Sequence, residues 1–386
     1  MKLKALLLIL ASASLVWVGW LIHVPAAMQK DEVPEKYRDT VAKGLEYLLK
    51  QQHKDGHWEG DDGKHPVAMT GLVGLALLME SPYRPYDGRR PKRILKHSEQ
   101  LGKAVDWLLA NSRADRDGLI FSEHASERSR YMQGHGLATL FLAGMLRDER
   151  DEDRHKKIHK ALTRAVEYLA KAQSTQGGWY HTSKAEGHDF SAILPTVIQI
   201  QALQAAEHVG VAIPSDIAGL AREYLEKAVG KTPAEIKERR QADVAAALVC
   251  SVSPGSKGLE GRASQGSISF AGGPWLKRCQ EEIPVGQNMK FGQDELAHYY
   301  YAQAVYVLAE RWDHYRSPMF DHLRASQAKD GSWPAAGGLG VGPVYATALW
   351  CTVLQLDMRS HPAQHWHQEF EVTWRRPRCR IALPAA

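Results

Sequence analysis

Six times along this chain, an amphipathic helical segment is followed by a helical segment that carries almost no charge. In the first pair, residues 35–52 place apolar side chains from Tyr37 to Leu48 on one stripe and charged side chains on the other. Residues 67–79, which follow, contain no charged side chain. A helix of the second kind must be buried nearly all round, so each pair predicts one outer and one inner helix.

The same alternation recurs over most of the chain. The other amphipathic segments are 104–112, 165–173, 221–229, 274–282 and 319–327, and the other weakly charged ones are 134–146, 194–206, 242–252, 296–309 and 342–356. A straight array of such pairs would leave its uncharged helices exposed along one side, whereas a closed ring buries them against one another. We therefore predict an all-α protein, an α/α toroid of six inner and six outer helices over residues 31–361.

The two ends of the chain differ from this body. Lys2 and Lys4 precede an apolar run that extends to Ala27, a pattern typical of an export signal. The run is also long enough to span a bilayer uncleaved. Residues 1–27 are therefore either a signal peptide or an N-terminal membrane anchor, and we expect the body to be exported and periplasmic. Residues 362–386 are interpreted as a C-terminal arm.

Composition excludes some functions. The net charge is +5 over 386 residues, and no basic block is interleaved with aromatics, so nucleic acid is not an expected partner. Cys250 and Cys351 lie in apolar helical runs, where buried free thiols are common. Cys279 and Cys379 are able to pair, and the spacing of the four cysteines does not suggest a thiolate zinc site.

A Gln is followed by Gly four residues later and by Trp six residues later in three places. The three sets are Gln52, Gly56 and Trp58; Gln173, Gly177 and Trp179; and Gln327, Gly331 and Trp333. Each set follows an outer helix, where free carbonyls need donors, the Gly allows a left-handed turn, and the Trp offers a large surface for packing. We interpret the triple as a structural device.

These three sets resemble the QW motifs of squalene-hopene cyclases, whose α/α toroid is shared by the β subunits of protein prenyltransferases. The stretches "YMQGHGLATLFLA" and "GPVYATALW" are similar to exported bacterial proteins with prenyltransferase and squalene-oxidase repeats. The resemblance implies a terpenoid cyclase-like toroid with an apolar, isoprenoid-type ligand in its central cavity.

The chain departs from that family in its chemistry. It lacks the Asp-x-Asp-Asp motif of the cyclases and the Asp-x-Cys pair that helps to hold zinc in the prenyltransferases. No cofactor or metal is therefore predicted, and the resemblance leaves open whether any reaction is catalysed.

Long polar loops precede the inner helices, and we expect them to gather on one rim of the ring. Helix N-termini that converge there would favour an anionic ligand. The alternative is that these loops form a solvated rim and bind nothing. His65, His135 and His188 stand at or just before inner helices and are candidate ligand-binding residues. They come from different repeats, so no local spacing supports a metal site among them.

The catalytic candidates are Asp189, then Glu123 and Asp62, with helix capping as the competing role of Asp189. The ligand-binding candidates on the inner helices are Tyr300 and Tyr345, whose competing role is core packing.

Three functions remain open. The first is a cyclase-like protein that binds an isoprenoid-type ligand, with or without transforming it chemically. The second is a non-enzymatic module that grips a peptide, a glycan or a partner protein on its rim. The third is a glycoside hydrolase or lyase on an α/α ring, which needs two facing carboxylates.

Overall fold

The computed structural model describes residues 33–81, 95–252, 266–290, 295–308, 311–335 and 341–358. The N-terminal segment 1–27 and the arm 362–386 lie outside the described residues, so their interpretation stays a prediction. Within the described ranges, no helix combines the length and the apolarity needed to cross a membrane.

Thirteen α-helices account for most of the described residues. They are α1 (Glu35–Lys50), α2 (Pro66–Met79), α3 (Ser98–Ala110), α4 (Tyr131–Asp148), α5 (Glu152–Ala172), α6 (Ile193–His208), α7 (Ile217–Val229), α8 (Pro233–Lys237), α9 (Gln241–Val252), α10 (Gly266–Glu282), α11 (Glu295–Leu308), α12 (Trp312–Ser326) and α13 (Gly342–Leu354). A small antiparallel hairpin joins β1 (Ser112–Arg113) to β2 (Leu119–Ile120). The hairpin and α8 are too short to show a periodicity in the sequence.

The inner helices form a closed ring. In the order α2, α4, α6, α9, α11 and α13, each packs against the next, and α13 packs against α2. The closing contact includes a hydrogen bond from Gln355 Nε2, just after α13, to the carbonyl of Ala76 in α2, at 3.0 Å. The outer helices α1, α3, α5, α7, α10 and α12 pack outside this ring. The predicted α/α toroid of six inner and six outer helices is confirmed.

Burial follows the charge pattern of the sequence. Every residue of α2 is buried, whereas α1 buries the stripe that contains Tyr37 and Leu48 and exposes its charged face. Close packing of inner helices depends on small residues. A Cβ atom on Gly71 would lie 2.7 Å from the backbone of Leu137 in α4.

The three Gln-x-x-x-Gly-x-Trp sets, called here the Gln-Gly-Trp turns, join each of three outer helices to the next inner helix. The Gln327 amide donates to the carbonyl of Gly331, in its own turn, at 2.9 Å and to that of Thr40, in the neighbouring outer helix α1, at 2.9 Å. Gln52 and Gln173 make the equivalent pairs of bonds. Each Gln therefore connects two outer helices.

The glycine of each turn is required twice. Gly331 has a φ of +93°, a conformation in which a side chain is strained. A Cβ atom there would also lie 2.3 Å from the carbonyl oxygen of Lys43. Gly56 and Gly177 have the same sign of φ and the same close approach to a neighbouring outer helix. The expected left-handed turn is therefore present in all three copies.

The structure describes three of the four cysteines, and two of them were expected to be buried free thiols. Cys250 and Cys351 are buried free thiols, and so is Cys279. Cys379 lies outside the described residues, so its pairing with Cys279 stays a prediction.

Candidate functional site

Loops that precede the inner helices meet one another at one end of the ring. The amide of His65 donates to Ser126 Oγ at 2.8 Å, and the amide of Met132 donates to the carbonyl of His181 at 3.1 Å. The amide of Asp61 donates to the carbonyl of Val341 at 3.2 Å. These bonds join the loops before α2, α4, α6 and α13. Residues 336–340 of the loop before α13 and residues 291–294 of the loop before α11 lie outside the described residues.

A cavity of about 290 Å³ lies inside this rim, at the N-terminal ends of the inner helices. Its walls come from α2, α4, α6, α11 and α13 and from the loops that precede inner helices, including the one before α9. The apolar and aromatic lining residues are Ala68, Met69, Leu72, Gly134, Leu137, Ala192, Leu194, Pro195, Ile198, Leu296, Tyr299, Tyr300, Val341, Tyr345 and Leu349. The polar ones are His65, Glu127, Arg130, Gln133, His181 and Arg240.

Glu127 is a carboxyl group in the wall of this cavity. Its side chain is almost fully buried, Oε1 accepts from the amide of Val67 at 2.8 Å, and Oε2 accepts from the amide of Ser122 at 3.2 Å. Burial raises the pKa of Glu127 to about 7, although these amide bonds oppose the rise. Near neutral pH, Glu127 therefore exists in both protonation states.

Two histidines stand at the polar side of the cavity. His65 has a left-handed backbone, with φ 53°, at the N-cap of α2. Burial lowers the pKa of His65 and of His181, and the charge of Arg130 lowers both further. Both imidazoles are therefore neutral at pH 7. The Nδ1 atom of His181 is buried and has no hydrogen-bond partner among the described residues.

The two arginines of the cavity differ in their partners. Arg240 makes a two-pronged ion pair with Asp243, at 2.9 Å for each bond. Arg130 is exposed, and no carboxylate of the described residues pairs with it. Arg130 is therefore a positive charge at the mouth of the cavity that no carboxylate of the described residues neutralises in an ion pair.

The structure brings three of the five ligand-binding candidates to this cavity and places the other two elsewhere. His65, Tyr300 and Tyr345 line it. His135 is fully buried, because α4 begins at Tyr131 and the side chain lies one turn inside the helix. Its Nδ1 accepts from the amide of Ile120 at 3.0 Å, and its Nε2 lies 3.3 Å from the carbonyl of Ala165. These bonds leave no ring nitrogen for a ligand. His188 is exposed and bonds Thr182 at 2.6 Å.

The three carboxylate candidates lie on the exposed surface of the loops. Asp189 accepts from the amide and the hydroxyl of Thr175, at 2.7 and 2.6 Å, so it braces the second Gln-Gly-Trp turn rather than the helix that follows. Glu123 pairs with Arg113 at 2.9 Å, and Asp62 pairs with Lys64 at 3.1 Å. None of the three is among the described residues that line the cavity.

Sequence reasoning missed Glu127, Arg130 and His181. The first two lie in the polar loop "SEHASERSR", which was expected at the rim, but the loop has no periodicity that tells which of its charged residues turns inward. Glu123 is exposed and Glu127, four residues later, is buried.

Comparison with known proteins does not assign the chain to a family. No family model matches the sequence, and no curated protein matches it. Among solved structures, a glycosidase variant in complex with glucose is 12% identical, with a TM-score of 0.40, and the match covers 83% of this chain and 96% of that one. A second glycosidase variant is 10% identical, with a TM-score of 0.38 and the same coverage. At these values the likeness does not indicate a shared activity.

Proposed function

We propose that this toroid binds a compact amphiphilic ligand, with an isoprenoid-type apolar body in the central cavity and an anionic head group at its mouth. One observation carries the proposal, namely an apolar and aromatic cavity whose open side is basic. The isoprenoid character of the body comes from the sequence resemblance to squalene-hopene cyclases, and the amphiphilic character comes from the geometry of the cavity.

The apolar part of the argument concerns burial and size. Small-molecule pockets occupy roughly 300–1,000 Å³ and are lined mainly by apolar and aromatic side chains. This cavity, at about 290 Å³, matches the lower end of that range, so it suits a short chain rather than a long polyisoprenoid. Tyr300 and Tyr345 add ring faces, which also favour a developing positive charge on a bound chain.

The anionic part of the argument concerns the mouth. Arg130 has a free guanidinium fork for a carboxylate or phosphate, and the N-termini of the inner helices add positive potential in the same direction. His65 and His181 are neutral at pH 7, so they offer hydrogen bonds without requiring a charge. Glu127 becomes a donor to an anion when it is protonated.

Glu127 is also the group best placed for proton transfer, because a carboxyl with a pKa near the working pH is an effective general acid. A glycosidase mechanism would need a second carboxylate at about 5–9.5 Å. Among the described residues that line the cavity, Glu127 is the single carboxylate, so the geometry favours ligand binding over that alternative.

Binding is tested with geranyl phosphate and geraniol, which share one apolar chain and differ in the head group, followed by tryptophan fluorescence. We expect the phosphate to bind about tenfold or more tightly than the alcohol. Arg130→Gln is expected to remove most of this difference and to leave geraniol binding unchanged. Equal binding of the two compounds would reject the anionic head group.

The location of the ligand is tested by filling the cavity. Leu137→Trp places a large side chain at a partly buried position in the cavity lining and is expected to abolish binding of both compounds. Leu220→Trp makes the same change on the exposed surface of α7 and is the matched control. If neither compound binds the unmodified protein while an oligosaccharide binds or is hydrolysed, the proposed function is wrong.

A further inference from the structure

We propose that His53, His57 and Glu59 form a binding site for a divalent transition metal of the zinc type, in the first Gln-Gly-Trp turn. One nitrogen or oxygen atom from each residue lies within 4.8 Å of those of the other two. The cluster is separate from the residues that line the central cavity, so this inference does not depend on the proposed ligand.

The spacing of the atoms is close to that of a metal site, and small side-chain shifts would let one atom of each residue share an ion, because the three atoms already lie within 4.8 Å of one another. The Nε2 atoms of His53 and His57 lie 3.3 Å from Glu59 Oε1 and 3.3 Å from Glu59 Oε2, respectively. Zinc binds imidazole nitrogen and carboxylate oxygen at about 2.0–2.2 Å in a tetrahedron, whose edges are then roughly 3.3–3.6 Å long. Two nitrogens and one carboxylate also leave a fourth position open, which is the pattern of a zinc site that binds water or substrate.

Hydrogen bonding at the far side of His57 is the second observation. Asp55 Oδ1 lies 2.6 Å from His57 Nδ1. Because an ionised carboxylate accepts only, Nδ1 carries the hydrogen. The other ring nitrogen, Nε2, then faces a second carboxylate, that of Glu59. Two acceptors at 3.3 Å repel unless a proton or a metal ion lies between them.

The support around His57 also matches that of a metal ligand. A carboxylate on the other ring nitrogen commonly orients a ligating histidine, and Asp55 occupies that position. The His57 ring stacks on Trp107 of α3, with 4.8 Å between ring centroids. The imidazole is thus held in one orientation from two sides.

The other two Gln-Gly-Trp turns show that the fold does not require these side chains. The backbone bond from His53 to His57, at 2.9 Å, recurs from Ser174 to Gly178 and from Ala328 to Ser332 at the same length. The positions equivalent to Glu59 are Tyr180 and Pro334. The third turn keeps an aspartate, Asp330, at the position of Asp55, but it forms without the two histidines and the glutamate, so the His-His-Glu set of the first turn is free to serve a ligand.

The experiment is a titration of the untagged full chain with Zn²⁺ against a chromogenic chelator, with Co²⁺ absorption as a second readout. We expect one equivalent of Zn²⁺ to bind and Co²⁺ to give the intense visible bands of a tetrahedral site. The variants His53→Ala and His57→Ser copy the third turn, so they are expected to fold and to lose this equivalent. Asp55→Asn is expected to weaken binding about 10–100-fold.

The matched control is His97→Gln. His97 pairs with Glu80 at 2.6 Å but is not part of a three-ligand cluster, so this variant is expected to bind Zn²⁺ like the unmodified chain. Absence of stoichiometric binding would overturn the proposal. Binding that survives in both His53→Ala and His57→Ser would overturn it as well.

Discussion

The backbone amide of Trp333 donates to the hydroxyl of Thr347 in α13 at 3.1 Å, while the indole Nε1 of Trp333 donates to the carbonyl of Leu323 in α12 at 2.9 Å. The same pair of bonds is made by Trp58 and by Trp179, whose acceptor hydroxyls are those of Thr70 and Thr196. Each tryptophan therefore joins the end of an outer helix to the first turns of the next inner helix. The Gln-Gly-Trp turns hold the ring together and do not line the cavity.

Removal of the Thr347 hydroxyl, which accepts from the amide of Trp333, should destabilise the protein. In Thr347→Val the shape is kept, but the buried Trp333 amide loses its acceptor, so we expect a loss of about 1–3 kcal/mol in the free energy of unfolding. Thr139→Val is the control, because the Thr139 hydroxyl bonds a carbonyl of its own helix, that of His135, at 2.7 Å. Urea denaturation measures both, and equal losses would contradict the role given to Thr347.

Alanine at Gly331 should cost more than alanine at another glycine of positive φ. Gly331 and Gly187 have φ values of +93° and +87°, but a Cβ atom on Gly187 meets nothing within 4 Å. In both variants the left-handed conformation lowers the free energy of unfolding by about 1–3 kcal/mol. Gly331→Ala is destabilised further by the clash with Lys43. We therefore expect its midpoint of thermal unfolding to fall well below that of Gly187→Ala. Similar midpoints would show that the turn around Gly331 moves away from Lys43 and relieves the clash.

Glu127 should make the protein less stable as pH rises towards neutrality. Its pKa is raised from 4.5 to about 7 in the folded state, so the folded state binds more protons than the unfolded state between these values. The free energy of unfolding then falls with rising pH, by up to about 1.4 kcal/mol per pH unit. Chemical denaturation at several pH values measures this slope. Glu127→Gln is expected to flatten it, and Glu123→Gln, an exposed change in the same loop, to leave it in place.

His135 should destabilise the protein in acid. Burial lowers the pKa of His135 from 6.5 to about 4. Between pH 4 and 6.5, His135 is therefore protonated in the unfolded state and neutral in the folded state. The contribution to stability is fully present above pH 6.5 and is lost as pH falls towards 4. His135→Asn keeps an acceptor for the Ile120 amide and is expected to reduce the acid slope. The exposed His188→Asn is the control, and an equal effect of the two variants would refute the assignment.

The helices and their inner or outer place could be read from the sequence because that information is local. The charge-free run of α2 and the charged face of α1 each reflect the environment of a single helix, and the period of the pattern identifies the helix itself. Ring closure then follows, since six buried faces have no other way to avoid water. The Gln-Gly-Trp turns were also readable, since the chemistry of a helix end is contained within a few residues.

The composition of the candidate sites was decided by the tertiary structure. Glu127 and Glu123 belong to one loop, and only the fold of that loop buries the first and exposes the second. His135 was expected at the mouth, but α4 begins four residues before it and carries it into the core. His53, His57 and Glu59 were not among the sequence candidates, because their convergence depends on the turn geometry. The sequence alone determined the helical ring, because helical periodicity is a local property. Only the tertiary structure determined which side chains share a cavity, because loops without periodicity carry them there.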